Sequence, residues 1–253
     1  MLEVRDFVEF EKGDIPLIIS VPHGGVIRCE KIPERSNGIF GIDKGTTEFA
    51  KDLIKLLKIN FRMRANGNTI PSYVISKIPR GQIDLNRDKA LAFVHTSLLA
   101  QEIYNFYHNK IQEIIHSNLA SHGRSLLIDI HGFEKKSRPP GFRDVDLILG
   151  TNNLESLFSK SIPKRDWGKN IRGKIIQKFL QLDIPIAPGH PRRREYVLTG
   201  GYITQRYGAS HFLEDSKTIQ IEFSDRIRIY DKQFRELVLK TLANILFENL
   251  MDV

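Results

Sequence analysis

Two hydrophobic rhythms alternate along the chain. Short, nearly continuous apolar runs occur at Leu17–Val21, Ile70–Ile75, Ser125–Ile130 (SLLIDI), Val145–Leu149 and Thr218–Phe223 (TIQIEF). Runs of that length, rich in β-branched residues, read as strands buried on both faces. Glu3–Glu11 sets Val4, Phe7, Val8 and Phe10 among charges and reads as an edge strand, and Pro185–Pro188 as a short extended piece. Between these lie stretches with helical spacing. Thr46 or Thr47 caps a helix of about a dozen residues carrying Phe49, Ile54, Leu56 and Leu57. A long helix is predicted over Leu91–Leu119, with His95, His108 and His116 on it as surface or packing residues. Trp167–Leu182 and Phe234–Leu250 complete the set, while Thr199–Tyr207 reads as a Gly-hinged loop and turn. Strands alternating with helices predict an α/β protein with a mostly parallel sheet covered on both faces. No domain boundary shows, so residues 1–253 are expected to form one domain.

The polar residues matter where they interrupt this pattern. The first buried run ends in SVPHGG, which delivers His23 just beyond a strand end. Two glycines there keep the backbone thin enough for a substrate to approach. The SLLIDI run ends the same way, in His131-Gly132, with Asp129 inside it. Asp43 and Glu48 flank the start of the intervening helix. Ligands of open α/β sheets sit outside the carboxyl ends of strands. Two imidazoles and one carboxylate, His23, His131 and Glu48 with Asp43 as the alternative, make the protein ligand set of a catalytic zinc. Glu222, on a late apolar strand beside Gln220, is a candidate proton carrier or a salt-bridged strand acid. Asn86 and Arg87 suit a substrate carboxylate, Arg80 a developing oxyanion, and Asp129 the orientation of a histidine.

Composition narrows the partners. Cys29 is the only cysteine, which excludes disulfide scaffolds and Cys-based zinc clusters. No apolar run approaches the roughly 20 residues of a membrane span, and the N-terminus has no signal pattern, so a cytoplasmic protein is expected. The net charge of +8 concentrates between Lys160 and Arg194, where Asp166 and Asp183 are the only acids. A solvated face, attraction of small anions and nucleic-acid binding are the three readings of that stretch. No helix-turn-helix or zinc-finger spacing accompanies it, so nucleic acid is not the expected partner.

Six motifs in order resemble the N-formylglutamate amidohydrolase family, which is related to the zinc carboxypeptidases and the aspartoacylase group. They are SVPHGG (Ser20–Gly25), D-x-G-T-x-E (Asp43–Glu48), DLNR (Asp84–Arg87), DIHGF (Asp129–Phe133), GGYIT with a following YG (Gly200–Gly208) and IQIEF (Ile219–Phe223). The resemblance implies a phosphorylase/hydrolase-like, three-layer α/β/α domain with a mixed sheet. It also implies one zinc ion and cleavage of an amide on a small carboxylate-bearing substrate such as an N-acyl amino acid. By motif, His23, His131 and Glu48 are the implied zinc ligands and Glu222 the general base. Arg80, Asn86 and Arg87 are the implied carbonyl and carboxylate binders. Gly200, Gly201 and Tyr202 are expected at the substrate, and Asp84 with Asp129 behind the metal ligands. The carboxypeptidase relatives carry the first His and Glu as HxxE, but Val26 stands at that Glu position here. Glu48 is preferred because a first-turn position just past a strand end can face the metal. The Arg192–Arg194 run would add charge at the mouth of the site. A zinc carboxypeptidase-like hydrolase of peptides is the neighbouring alternative, and a basic nucleic-acid-binding module the distant one.

Overall fold

The computed structural model describes residues 3–65, 69–137, 144–196 and 198–251. Its strands are β1 (Val8–Glu11), β2 (Ile15–Val21), β3 (Pro71–Ser76), β4 (Ser125–Phe133), β5 (Leu147–Gly150), β6 (Ile186–Ala187) and β7 (Ser216–Ser224). They form one sheet in the order β1-β3-β2-β4-β7-β5-β6. β3, β2, β4 and β7 run parallel, β1 and β5 pair antiparallel with β3 and β7, and β6 is parallel to β5. The helices are α1 (Val4–Phe7), α2 (Thr46–Arg64), α3 (Lys89–Ala92), α4 (Leu98–His122), α5 (Ile171–Gln181), α6 (Tyr202–Tyr207) and α7 (Lys232–Met251). The mixed, mostly parallel α/β/α architecture agrees with the sequence reading.

Alternation along the strands builds a core on each face. Leu17, Ile19, Val21, Ile128, Ile130, Ile219 and Ile221 pack with residues of α2, α5 and α7. Ile18, Val74 and Leu127 pack on the other side with α4. Truncating any of the leucines or isoleucines among these to Ala costs about 2–5 kcal/mol. On the α4 side, period-2 alternation also carries Ser20, Asp129, His131, Gln220 and Glu222 towards the carboxyl ends of the strands.

Several boundaries differ from those predicted. The stretch expected as one long helix is two, because Asp88 caps α3 and Ser97 caps α4, each accepting a main-chain N–H two or three residues on. His95 therefore lies in the connection, its ring bonded to the Ala90 carbonyl. α2 is 19 residues long, and its N-cap is Gly45 rather than a threonine. The Thr46 hydroxyl instead donates to the Asp43 carbonyl. α5 starts only at Ile171, where the Asn170 side chain accepts from the Gly173 N–H. A short helix, α6, replaces the turn expected after Gly200-Gly201. Among the described residues no helix is long and apolar enough to cross a membrane.

Candidate metal centre and substrate cavity

His23 follows β2, His131 ends the buried part of β4, and Asp43 lies in the loop that leads into α2. One atom from each side chain falls within 4.8 Å of the others. Both imidazoles direct Nδ1 at the same Asp43 oxygen, at 3.6 Å from His23 and 3.3 Å from His131. Both have Nε2 tied to a buried carboxylate, His23 to Asp84 at 2.7 Å and His131 to Asp129 at 2.8 Å. A carboxylate behind Nε2 fixes that nitrogen as the protonated one and leaves the Nδ1 lone pair facing Asp43. His23 Nδ1 is buried with no hydrogen-bond partner. Two imidazole lone pairs and a carboxylate oxygen facing one another call for a cation between them. The N, N, O donor set suits a divalent metal such as zinc.

With a proton in place of that cation, the imidazoles themselves carry the positive charge: burial alone would raise the Asp43 carboxyl, but His131 and His23 outweigh it and hold Asp43 well below the usual range. Burial would lower His131, yet Asp129 and Asp43 raise it well above the ordinary imidazole value. Asp84 is likewise held low, its burial outweighed by His23 and Arg80. Asp129 is fixed from behind: Tyr107 donates to Ser20 Oγ at 2.9 Å, and Ser20 donates to Asp129 Oδ1 at 2.7 Å.

Glu48 is not part of this cluster. It lies in the first turn of α2 with its side chain exposed, because the loop ahead of the helix already reaches the site. That loop is held by the Asp43 N–H to the His23 carbonyl (3.0 Å) and by the Thr46 hydroxyl. The Gly132 N–H also donates to Asp43 Oδ2 at 3.1 Å. The glycines after His23 serve packing rather than substrate access. A Cβ on Gly24 would lie 2.3 Å from Thr47 Oγ1, and one on Gly25 2.3 Å from the Ile78 carbonyl.

A cavity of about 520 Å³ opens over the three ligand candidates and takes in Arg80, Asn86, Arg87, Gly200, Gly201, Tyr202, Gln220 and Glu222. Glu222 is the register partner of His131 across β4 and β7. Burial raises its carboxyl against the opposing charge of His131. Gln220 orients it, donating to Glu222 Oε1 at 2.8 Å while accepting from the Gly201 N–H at 2.7 Å. Arg80 and Arg87 both bond Asp84 Oδ2 through Nε, at 3.0 and 3.4 Å. Asn86 has a more structural position than expected: its Oδ1 accepts from the Ile203 N–H at the start of α6, and its amide packs on His131. Arg192, Arg193 and Arg194 do not line this cavity.

Around this site, sequence reasoning missed two buried guanidinium groups, those of Arg35 and Arg228. Arg228 donates to the carbonyls of Phe223 and Phe133 at 2.9 and 3.0 Å and to that of Lys44. It thus joins the ends of β7 and β4 to the Asp43 loop. Arg35 bonds the carbonyls of Arg80, Asn37 and Ile39 and lies 3.7 Å from Asp84. Neither had a signal beyond an arginine near apolar neighbours. Gln220 did have one, since a polar residue two before Glu222 in an apolar strand shares its face.

No family model and no curated protein matches the chain. Solved structures that share its fold include the following two. N-formylglutamate amidohydrolase from Ralstonia eutropha JMP134 superposes with a TM-score of 0.65 at 13% identity over 97% of each chain. A gene product of Agrobacterium tumefaciens superposes with a TM-score of 0.58 at 15% identity, over 97% of this chain and 93% of its own.

Proposed function

We propose that the chain is a metal-dependent amidohydrolase that removes an acyl group from the nitrogen of a small carboxylate-bearing amino acid. The observation that carries this reading is the convergence of His23, Asp43 and His131 within 4.8 Å, inside a cavity that also holds Glu222 and two guanidinium groups. The fold shared with an N-formylglutamate amidohydrolase supports it. A zinc ion held by His23, Asp43 and His131 would polarise the scissile carbonyl and acidify the attacking water. Glu222 takes the proton from that water and returns it to the departing amine. Its raised carboxyl suits both halves of the task. Arg80 stabilises charge on the carbonyl oxygen, and the half-exposed Arg87 holds the substrate carboxylate. Asp84 keeps both guanidinium groups aimed while it fixes His23.

The test combines metal analysis with a substrate panel of N-formyl and N-acetyl derivatives of glutamate, aspartate and leucine, and C-terminal dipeptides. One equivalent of zinc, turnover of N-acyl acidic amino acids and a 10²–10⁴-fold lower kcat in Glu222→Gln are expected. Turnover that survives both chelation and Glu222→Gln rejects the mechanism, and a preference for dipeptides moves the enzyme to the peptidases.

A further inference from the structure

The basic stretch between Lys160 and Arg194 contributes nothing to the metal cavity, yet its two end residues, both exposed, line another. A separate cavity of about 430 Å³ lies beside the turn that follows β5. Lys160 and Arg194 line it, and Phe158, Ile162 and Trp167 give it an apolar wall. Neither cation has an ion-pair or hydrogen-bond partner among the described residues. Two acids lie close by. Glu155 lines the cavity but is engaged by the Asn152 amide at 2.6 Å, and Glu214 accepts from the Ser159 hydroxyl at 2.9 Å.

The cavity has a fixed frame. The Trp167 indole N–H donates to the Ile162 carbonyl at 3.2 Å, which sets the ring plane. Asn152, Asn153 and Leu154 have φ of 48°, 53° and 81°, a run of left-handed non-glycine residues. Such strain persists only where the surroundings enforce it, and it concentrates at ligand sites. Here Glu195 enforces it, accepting from the N–H groups of Thr151 and Asn153 at 2.7 and 3.1 Å. Glu195 is paired in turn with the fully buried Arg172 at 2.7 Å.

We propose that this cavity is a second ligand site, taking a small organic anion with a flat apolar body. The volume is that of a small-molecule pocket. The Arg194 fork and the Lys160 ammonium recognise a carboxylate or a phosphate, and Trp167 and Phe158 receive the apolar body. The site is distinct from the metal cavity in every lining residue.

Trp167 is the only tryptophan in the chain, so its fluorescence reads this cavity directly. The zinc-loaded protein is titrated with 4-phenylbutyrate, phenyl phosphate, inorganic phosphate and neutral 4-phenylbutanol, with excitation confined to tryptophan. Saturable binding of one or both aromatic anions is expected, at least tenfold tighter than that of the alcohol or of phosphate alone. Which of the two binds more tightly identifies the headgroup. Lys160→Ala/Arg194→Ala, with unchanged circular dichroism, should weaken the aromatic anions at least tenfold, and Glu222→Gln should leave the titration unchanged. The proposal is overturned if no ligand saturates, if the alcohol matches the anions, or if the double variant titrates like the parent. A single-stranded oligonucleotide that quenches Trp167 more tightly than any of them also overturns it, by assigning the face to nucleic acid.

Discussion

His108 shows what burial does to one titratable residue. It sits on the inner face of α4, with Nδ1 bonded to the Tyr207 hydroxyl at 2.8 Å and the rings of Tyr104, Tyr107 and Tyr202 around it. Burial, with a smaller push from Arg206, brings its pKa down to about 3. An unfolded chain binds a proton at this residue below about pH 6.5, whereas the folded chain does not until about pH 3. Stability from this group is therefore complete above pH 6.5 and falls with pH between those values. The expected loss between pH 7 and pH 5 is about 2 kcal/mol relative to His108→Asn, measured by urea denaturation at both values. Equal pH slopes for the two proteins would show that His108 is not neutral in the fold. The sequence placed this residue on a helix as a surface or packing residue and could not choose between the two, because which face of that helix is buried depends on Tyr207, 99 positions away.

At the scale of elements, the link between β5 and α6 decides how firmly the cavity is shaped. The Asn152 N–H donates to the Thr199 carbonyl at 2.5 Å, and Gly150 packs so closely on Gly200 that a Cβ would lie 2.5 Å from its nitrogen. The Arg172–Glu195 pair thus underpins both the strained turn and the loop that carries Gly200 and Gly201 into the substrate cavity. Arg172 also donates to the carbonyls of Pro191 and Arg193 at 2.9 Å, so its charge is fully satisfied. Glu195→Gln leaves that guanidinium buried without its counter-charge, and a loss of about 3–5 kcal/mol is expected in urea denaturation. Loosening of the Gly201–Gln220 contact should raise KM more than it lowers kcat, whereas a merely global loss of stability would move neither at low temperature. Gly201→Ala tests the same loop from the other side, since its Cβ would lie 2.2 Å from the Asn86 amide. A fall in kcat/KM of at least tenfold is expected. The strands of this region were legible because a short apolar run is a local property. The clamp was not, because it forms between residues 23 positions apart, Arg172 reading only as one member of a basic run and Glu195 lying just beyond that run.

The sheet topology brings the candidate ligands together from far-apart stretches of chain. β2 and β4 are adjacent and parallel, so His23 and His131 emerge at the same end, and the crossover through β7 places Glu222 beside His131. That convergence could be anticipated from apolar runs ending in histidine. The choice of carboxylate could not, because it depends on the path of the loop that Arg228 and Thr46 hold in place. The two alternatives make opposite predictions. A ligand that binds only the native state adds RT ln(1 + [L]/Kd) to stability, about 2.7 kcal/mol at a hundredfold excess over Kd. Zinc at that excess should raise the melting temperature of the metal-stripped protein by several degrees. Asp43→Asn should abolish this rise and His23→Ala should do the same, while Glu48→Gln, altering an exposed side chain, should retain it in full. Melting curves need no substrate, so they test the site independently of any activity. A zinc-induced rise lost in Glu48→Gln and kept in Asp43→Asn would return the metal to the helix, and would require the 43–46 turn to rearrange on binding.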